Sequence, residues 1–243
     1  VLGLIPSPAA AMRVSPMVAE LSTTGVGSAA RIEVGNIGSE SLPFETLITE
    51  LSVGPDGEFV EVPADDSFLI FPPQGLVPVN GRQVVRVQWV GEPELESSRA
   101  FYLWVRQLPV STDVDRPAVE DNVAVSVQVL YTMKALIVVA PPGAQPEVEV
   151  VSANVVDISP PAPEVDASLT GGEEWAPPPM VPGVEVVVRN TGKRYALMSG
   201  ASWVLEGTGL DGQPLALTLT SGDIGAAVGV GYLAPGGTRT FQV

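Results

Sequence analysis

Residues 122–134 read NVAVSVQVLYTMK. Val123, Val125, Val127, Val129, Tyr131 and Met133 fall on one side of an extended chain, with Ala124, Ser126 and Gln128 on the other, because successive side chains of a strand point to opposite faces. The apolar character continues to Val139, so a strand is expected over Val123–Val139. That exceeds the usual length of about 3 to 10 residues. Two readings follow. The strand either packs its apolar face into its own domain, or overhangs a small sandwich and leaves a sticky edge.

The preceding residues repeat the same kind of signal. Val14–Leu21, Ala30–Val34, Phe44–Val53, Phe68–Phe71, Val84–Val90 and Phe101–Leu108 read as strands separated by turn residues, and none carries a sustained helical period. Val85, Val87 and Trp89 alternate with Arg86 and Gln88. With the long strand this makes seven, the count of an immunoglobulin-like sandwich of roughly 100 residues. The break APPGAQP at 140–146 cannot continue a central strand and reads as a stiff linker. Beyond it Glu147–Val156, Val184–Arg189, Arg194–Met198, Ser202–Leu205, Leu215–Thr220 and Thr238–Val243 predict a second all-β unit. Residues 160–182 hold seven prolines, several acids and Trp175, and read as an exposed loop.

Composition agrees and excludes several chemistries. The 243 residues include 25 glycines and 24 prolines, which disfavours long helices. There is no cysteine and no histidine, which removes disulfides, thiol nucleophiles, imidazole triads and cysteine or histidine metal sites. Twelve basic against 28 acidic residues give a net charge of −16, unsuited to a nucleic-acid partner. No apolar run approaches the ~20 residues of a membrane helix. Val1–Ala11, VLGLIPSPAAA, reads as the end of a secretory signal, with the mature protein starting near Met12. The expected divisions are 1–11 signal remnant, 12–140 first sandwich, 141–146 linker and 147–243 second sandwich, shortened or truncated at its last strand.

Two cations stand near the long strand. Lys134 closes it and is the only lysine of the first unit, and Arg99 opens the strand before it. If the two strands form a hairpin around Pro109–Asp121, residues whose numbers sum to about 230 face one another. Arg99 would then lie by Tyr131 and near Lys134, a candidate carboxylate site. Lys134 also reads as a charge that keeps an edge strand from aggregating. Other chemistry is weaker. DVDRPAVED at 113–121 opens like a calcium loop but has Ala118 where glycine is needed. Glu92, Glu94 and Glu96 read as a polar turn rather than a hydrolytic carboxylate pair. Gly225, Gly229 and Gly231 run in the wrong order for a dinucleotide loop and lie among expected strands. Trp89 and Trp104 read as core residues, and Tyr102 and Arg106 as residues either of the hairpin's outer face or of a contact with a partner.

The series RVSPMVAELS, EVGNIGSESLPFET, FLIFPPQGLVPVNGRQVVRVQWVG, RAFYLWVRQLPV and VAVSVQVLYTMK, followed by VEVVVRNTGKRYALM and YLAPGGTRTF, resembles the periplasmic chaperones of the chaperone-usher pathway, in particular their archaic or alternative branch. The resemblance covers nearly all of the expected mature chain. It implies two immunoglobulin-like sandwiches set at an angle as an L or boomerang, with a cleft between them. It also implies a non-enzymatic, periplasmic function without cofactor: binding fimbrial subunits by donor-strand complementation and delivering them to an outer-membrane usher. On that reading Val123, Val125, Val127 and Val129 are the donor residues and Lys134 holds the subunit's C-terminal carboxylate. The family's second cation lies on the first strand, where this chain has Val18 or a neighbour. Arg99 is the expected replacement and Arg13 the fallback, while Arg86 matches a family arginine read as structural. The alternatives are an exported adhesive or structural immunoglobulin-like protein, in which Val123–Val129 only completes its own sheet, and an exported hydrolase.

Overall fold

The computed structural model describes residues 12–53, 59–109, 129–159, 179–208 and 212–243. They divide into two compact units, with the boundary between Gly143 and Ala144. No helix among them is long and apolar enough to cross a membrane.

The first unit contains β1 (Met12–Ser15), β2 (Val18–Ser22), β3 (Ala29–Asn36), β4 (Leu42–Val53), β5 (Phe59–Pro63), β6 (Phe68–Phe71), β7 (Gln74–Val77), β8 (Arg82–Trp89), β9 (Arg99–Gln107) and β10 (Thr132–Ala140). One sheet has the order β1-β3-β8-β6, and the other has β2-β10-β9-β4-β5, with β7 also paired to β4. Their inner faces meet in one core. Ile32 and Val34 of β3, Val85 and Val87 of β8, Phe44 and Ile48 of β4, Phe101 and Leu103 of β9 and Ile137 of β10 are all buried there. Phe68, Trp89 and Phe101 close one end, with ring centroids 4.8–5.6 Å apart in edge-on or tilted arrangements. Residues that alternate in the sequence therefore alternate between core and exterior.

The segment expected as a single strand over Val14–Leu21 is two. Met12–Ser15 pairs antiparallel with β3, and from Val18 the chain pairs parallel with β10 in the opposite sheet. Pro16, which has no N–H to donate to a ladder, stands at the crossover. The long strand expected over Val123–Val139 is shorter among the described residues. It begins at Thr132, residues 129–131 are outside any strand, and Val123–Gln128 lie outside the described residues. The expected signal remnant Val1–Ala11 also lies outside them.

The second unit contains β11 (Val148–Ile158), β12 (Val181–Asn190), β13 (Ala196–Leu197), β14 (Trp203–Thr208), β15 (Pro214–Leu219), α1 (Ser221–Val228), β16 (Tyr232–Leu233) and β17 (Thr238–Gln242). β11-β12-β17 form a three-stranded sheet, and β13-β16 and β14-β15 form two ribbons. Val186, Val188, Trp203, Ile224, Leu233 and Phe241 make its core. The helix was not expected. Thr220 caps it by accepting from the Asp223 N–H while the Asp223 carboxylate accepts from the Thr220 N–H. Gly225 is therefore helical and Gly229 terminates the helix at φ 64°, rather than both lying among strands.

A buried asparagine organises each unit. Asn36, ending β3, donates to the carbonyls of Glu40 (2.7 Å) and Val77 (3.0 Å) and accepts from the Gly38 N–H (2.9 Å). Asn190, ending β12, donates to the Arg194 carbonyl (2.6 Å) and accepts from the N–H groups of Glu147 (3.1 Å) and Gly192 (3.0 Å). The N-x-G triplets 36–38 and 190–192 thus make the same local turn at equivalent strand ends.

Candidate binding edge and cation site

β10 lies between β9 and β2, but it is paired on both sides only along its second half. Against β9 it runs antiparallel from Thr132↔Arg106 to Val139↔Arg99, whereas β2 joins it only from Leu136↔Val18 onward. The Gln107 N–H donates to the Tyr131 carbonyl (2.9 Å), and the Leu136 N–H donates to the Met17 carbonyl on the other side (2.8 Å). By the alternation of an antiparallel ladder, Met133 and Ala135 face β9, while Thr132 and Lys134 direct their backbone groups away from it. No strand among the described residues pairs with Thr132–Ala135 on that side. The result is an open edge at the end nearest the alternating valines. Tyr131 and Met133 pack against the core, Val129 is 59% exposed, and Val123, Val125 and Val127 lie outside the described residues.

Lys134 projects from the outer face of this sheet. Its Nζ stands 3.6 Å from the centroid of Trp104 and 5.2 Å from that of Tyr102, a close cation–π seat. It also donates to Glu61 Oε1 at 2.7 Å. The other oxygen of Glu61 accepts from Thr49 Oγ1 (2.6 Å) and Trp104 Nε1 (3.0 Å). Partial burial acts to raise the Glu61 carboxyl, but the hydrogen bonds from Lys134, Thr49 and Trp104 outweigh it and hold the group below its ordinary value. On the same face Arg106 pairs with Glu45 at 2.6 Å. β9 builds this surface because its sequence alternates: Phe101, Leu103 and Val105 enter the core and Tyr102, Trp104 and Arg106 face out.

The structure corrects the expected pairing of the two cations. Facing residues of β9 and β10 sum to 238, not about 230, so Arg99 lies opposite Val139 and Lys134 opposite Trp104. Five residues along a strand is about 17 Å. The two also occupy opposite faces: Arg99 lies over Trp89 and Phe101 at the end of the core and is paired with Glu50. The hydrogen bond to Glu50, opposed by desolvation, raises the already high pKa of Arg99. Arg13 is exposed on β1, in the other sheet. Neither joins Lys134. Arg86, read as structural, is exposed on β8 and donates to Gln88 at 3.1 Å. Trp104, expected in the core, is the outward seat of Lys134, whereas Trp89 is in the core and donates to the Glu92 carbonyl (3.0 Å).

Sequence reading missed Glu61 because β5 was not recognised, and Thr49, on the expected strand β4, carries no local signal of a site. The run FVEVP at 59–63, rich in aromatic and β-branched residues, could have disclosed β5, but pairing with β4 is what brings Glu61 onto the face of Lys134. The calcium-like segment 113–121 lies outside the described residues, and among those described no cluster of three metal-ligating side chains occurs.

No protein-family model and no curated protein matches the chain. Solved structures do. CfaA, a class 5 fimbriae chaperone, aligns with a TM-score of 0.53 at 11% identity, covering 94% of this chain and 84% of its own. The E. coli chaperone DraB gives 0.52 at 13%, with 96% and 85% covered. A chain from the complex of Salmonella enterica SafA pilin with the SafB chaperone gives 0.51 at 11%, with 97% and 85% covered. At such identities the likeness is one of fold, carried along nearly the whole length of both chains, and it follows that this protein has the two-domain immunoglobulin-like fold of the fimbrial chaperones.

Proposed function

We propose that the chain is a non-enzymatic, periplasmic chaperone that binds fimbrial subunits by donor-strand complementation and passes them to an outer-membrane usher. The observation that carries this is the edge of β10 at Thr132 and Lys134, which no described strand pairs and which Val123, Val125, Val127 and Val129 precede in the sequence. An incoming edge strand would hydrogen-bond to those backbone groups, which no described strand pairs, while alternate valines fill its apolar groove. Four buried valines at roughly 1.5 kcal/mol each would contribute about 6 kcal/mol. No nucleotide is needed, because the binding energy comes from surface that the subunit cannot cover alone.

Structures of this fold include one solved with the SafA pilin and one with a tip adhesin, which supports a subunit as the occupant. Lys134 is the anchor for the subunit's terminal carboxylate on this reading; Arg99 and Arg13, on other faces, are assigned no share in it. Co-expression with the fimbrial subunits of the source organism tests the proposal. A one-to-one complex recovered from the periplasm is expected. Retention of the free protein on the cell surface, with no subunit bound, would favour the adhesive reading instead.

A further inference from the structure

The cation assigned to a subunit carboxylate already has one. Lys134 Nζ is 2.7 Å from Glu61 Oε1, and the two side chains are 36% and 23% exposed, so solvent and solutes reach both. Glu61 is also unusual in how it is held. Its second oxygen takes two neutral donors, Thr49 Oγ1 at 2.6 Å and Trp104 Nε1 at 3.0 Å, and Trp104 Nε1 lies 3.1 Å from Thr49 Oγ1 as well. A carboxylate with two neutral donors stays hydrogen-bonded when a cation leaves it, so the cost of separating the pair is reduced. Lys134, for its part, has three N–H groups, and the indole beneath it continues to attract the ammonium while its ionic partner changes.

We infer that Glu61 is a built-in competitor: in the free protein it takes the place of an incoming terminal carboxylate, and a partner engages Lys134 only by displacing or crowding it. This rests on the reading of Lys134 as a carboxylate anchor and adds a threshold to it. Polypeptides that offer a carboxylate without a strand for the β10 edge bind poorly, because a carboxylate alone must overcome the repulsion of Glu61. A subunit that also pairs with the edge supplies the difference. Glu61 is thus a specificity-determining residue, distant in sequence from the strand it regulates.

The chain has two lysines, Lys134 and the exposed Lys193, so lysine-selective carbon-13 labelling yields two side-chain signals with one serving as reference. Sodium acetate is titrated against sodium chloride at constant ionic strength into the intact protein and into Glu61→Gln, which keeps the shape and removes the charge. The Lys134 signal is expected to saturate at roughly five- to tenfold lower acetate in Glu61→Gln, the effect of removing one charge about 4 Å away in a solvent-exposed setting. Lys193 should respond alike in both proteins. Equal midpoints for Lys134 in both overturn the competitor role but leave the anchor in place. A Lys134 signal that follows Lys193 in both proteins overturns the anchor and the competitor together. If the amide variant does not fold, Glu61→Thr, which suits an edge strand, replaces it with the same outcomes.

Discussion

Proline substitution at two adjacent positions of β10 separates its two edges. Proline removes one backbone N–H and brings the same ring to either site. At Met133 the lost N–H belongs to the ladder with β9, opposite the buried Val105. About 1 kcal/mol is lost with that bond, and the carbonyl left without a donor adds about 1–3, so roughly 2–4 kcal/mol of destabilisation is expected. At Thr132 the N–H points to the side where β2 has not yet joined, so no ladder bond is broken. There the ring's restriction of the strand is partly offset by its restriction of the unfolded chain, leaving a change under about 1 kcal/mol.

Urea unfolding with amide exchange read at Phe101, Leu103 and Ile137 measures the first unit alone, since all three lie in its core. In the unaltered protein, amides of Met133 and Ala135 should exchange slowly and those of Thr132 and Lys134 quickly. Equal cost at the two proline sites, or slow exchange at all four amides, would refute the open edge. Thr132→Pro should also weaken capture of a fimbrial subunit, by the three- to tenfold that one net hydrogen bond of about 1 kcal/mol represents.

Replacing Val125 and Val127 together with Asp should leave the fold intact and abolish subunit recovery, since two carboxylates cannot enter an apolar groove cheaply; recovery at the normal level counts against the donor assignment. Lys134→Ala should reduce capture more than Lys193→Ala does, and equal effects in the same pull-down remove the special role of Lys134. Glu61 has a lowered folded-state pKa, so its contribution to stability is present above the ordinary 4.5 and is lost as pH falls through the depressed value. Glu61→Gln should flatten the urea midpoint against pH in that acidic range, and an unchanged slope contradicts the hydrogen-bonded pair. Asn36→Ala removes three hydrogen bonds at a buried turn and should cost about 2–4 kcal/mol by denaturant unfolding.

Local pattern carries far in this chain. Alternation at Phe101–Val105 and Val85–Trp89 determines which side chains enter the core, because a strand's two faces follow from parity alone. The break at 140–146 marks the change of unit for a similar reason: its prolines and glycine cannot sustain a ladder. Helix α1 was missed because eight residues are too few for a helical period to emerge, although Thr220 and Asp223 were present as a cap.

What needed tertiary structure was registry between segments distant in the chain. Parity made Trp104 outward-facing in principle, but the residue above it depends on where β10 pairs with β9, and a shift of eight in the facing sum sets Arg99 opposite Val139, away from Lys134, and leaves Lys134 over the indole. Glu61 reaches that lysine only because β5 closes the far edge of the same sheet. Composition and periodicity thus settle the all-β class and the alternation of faces along β8 and β9. The open edge at Thr132 and the Glu61–Lys134 pair arise from strand pairing over long sequence separations, where no local signal records which residue will stand opposite which.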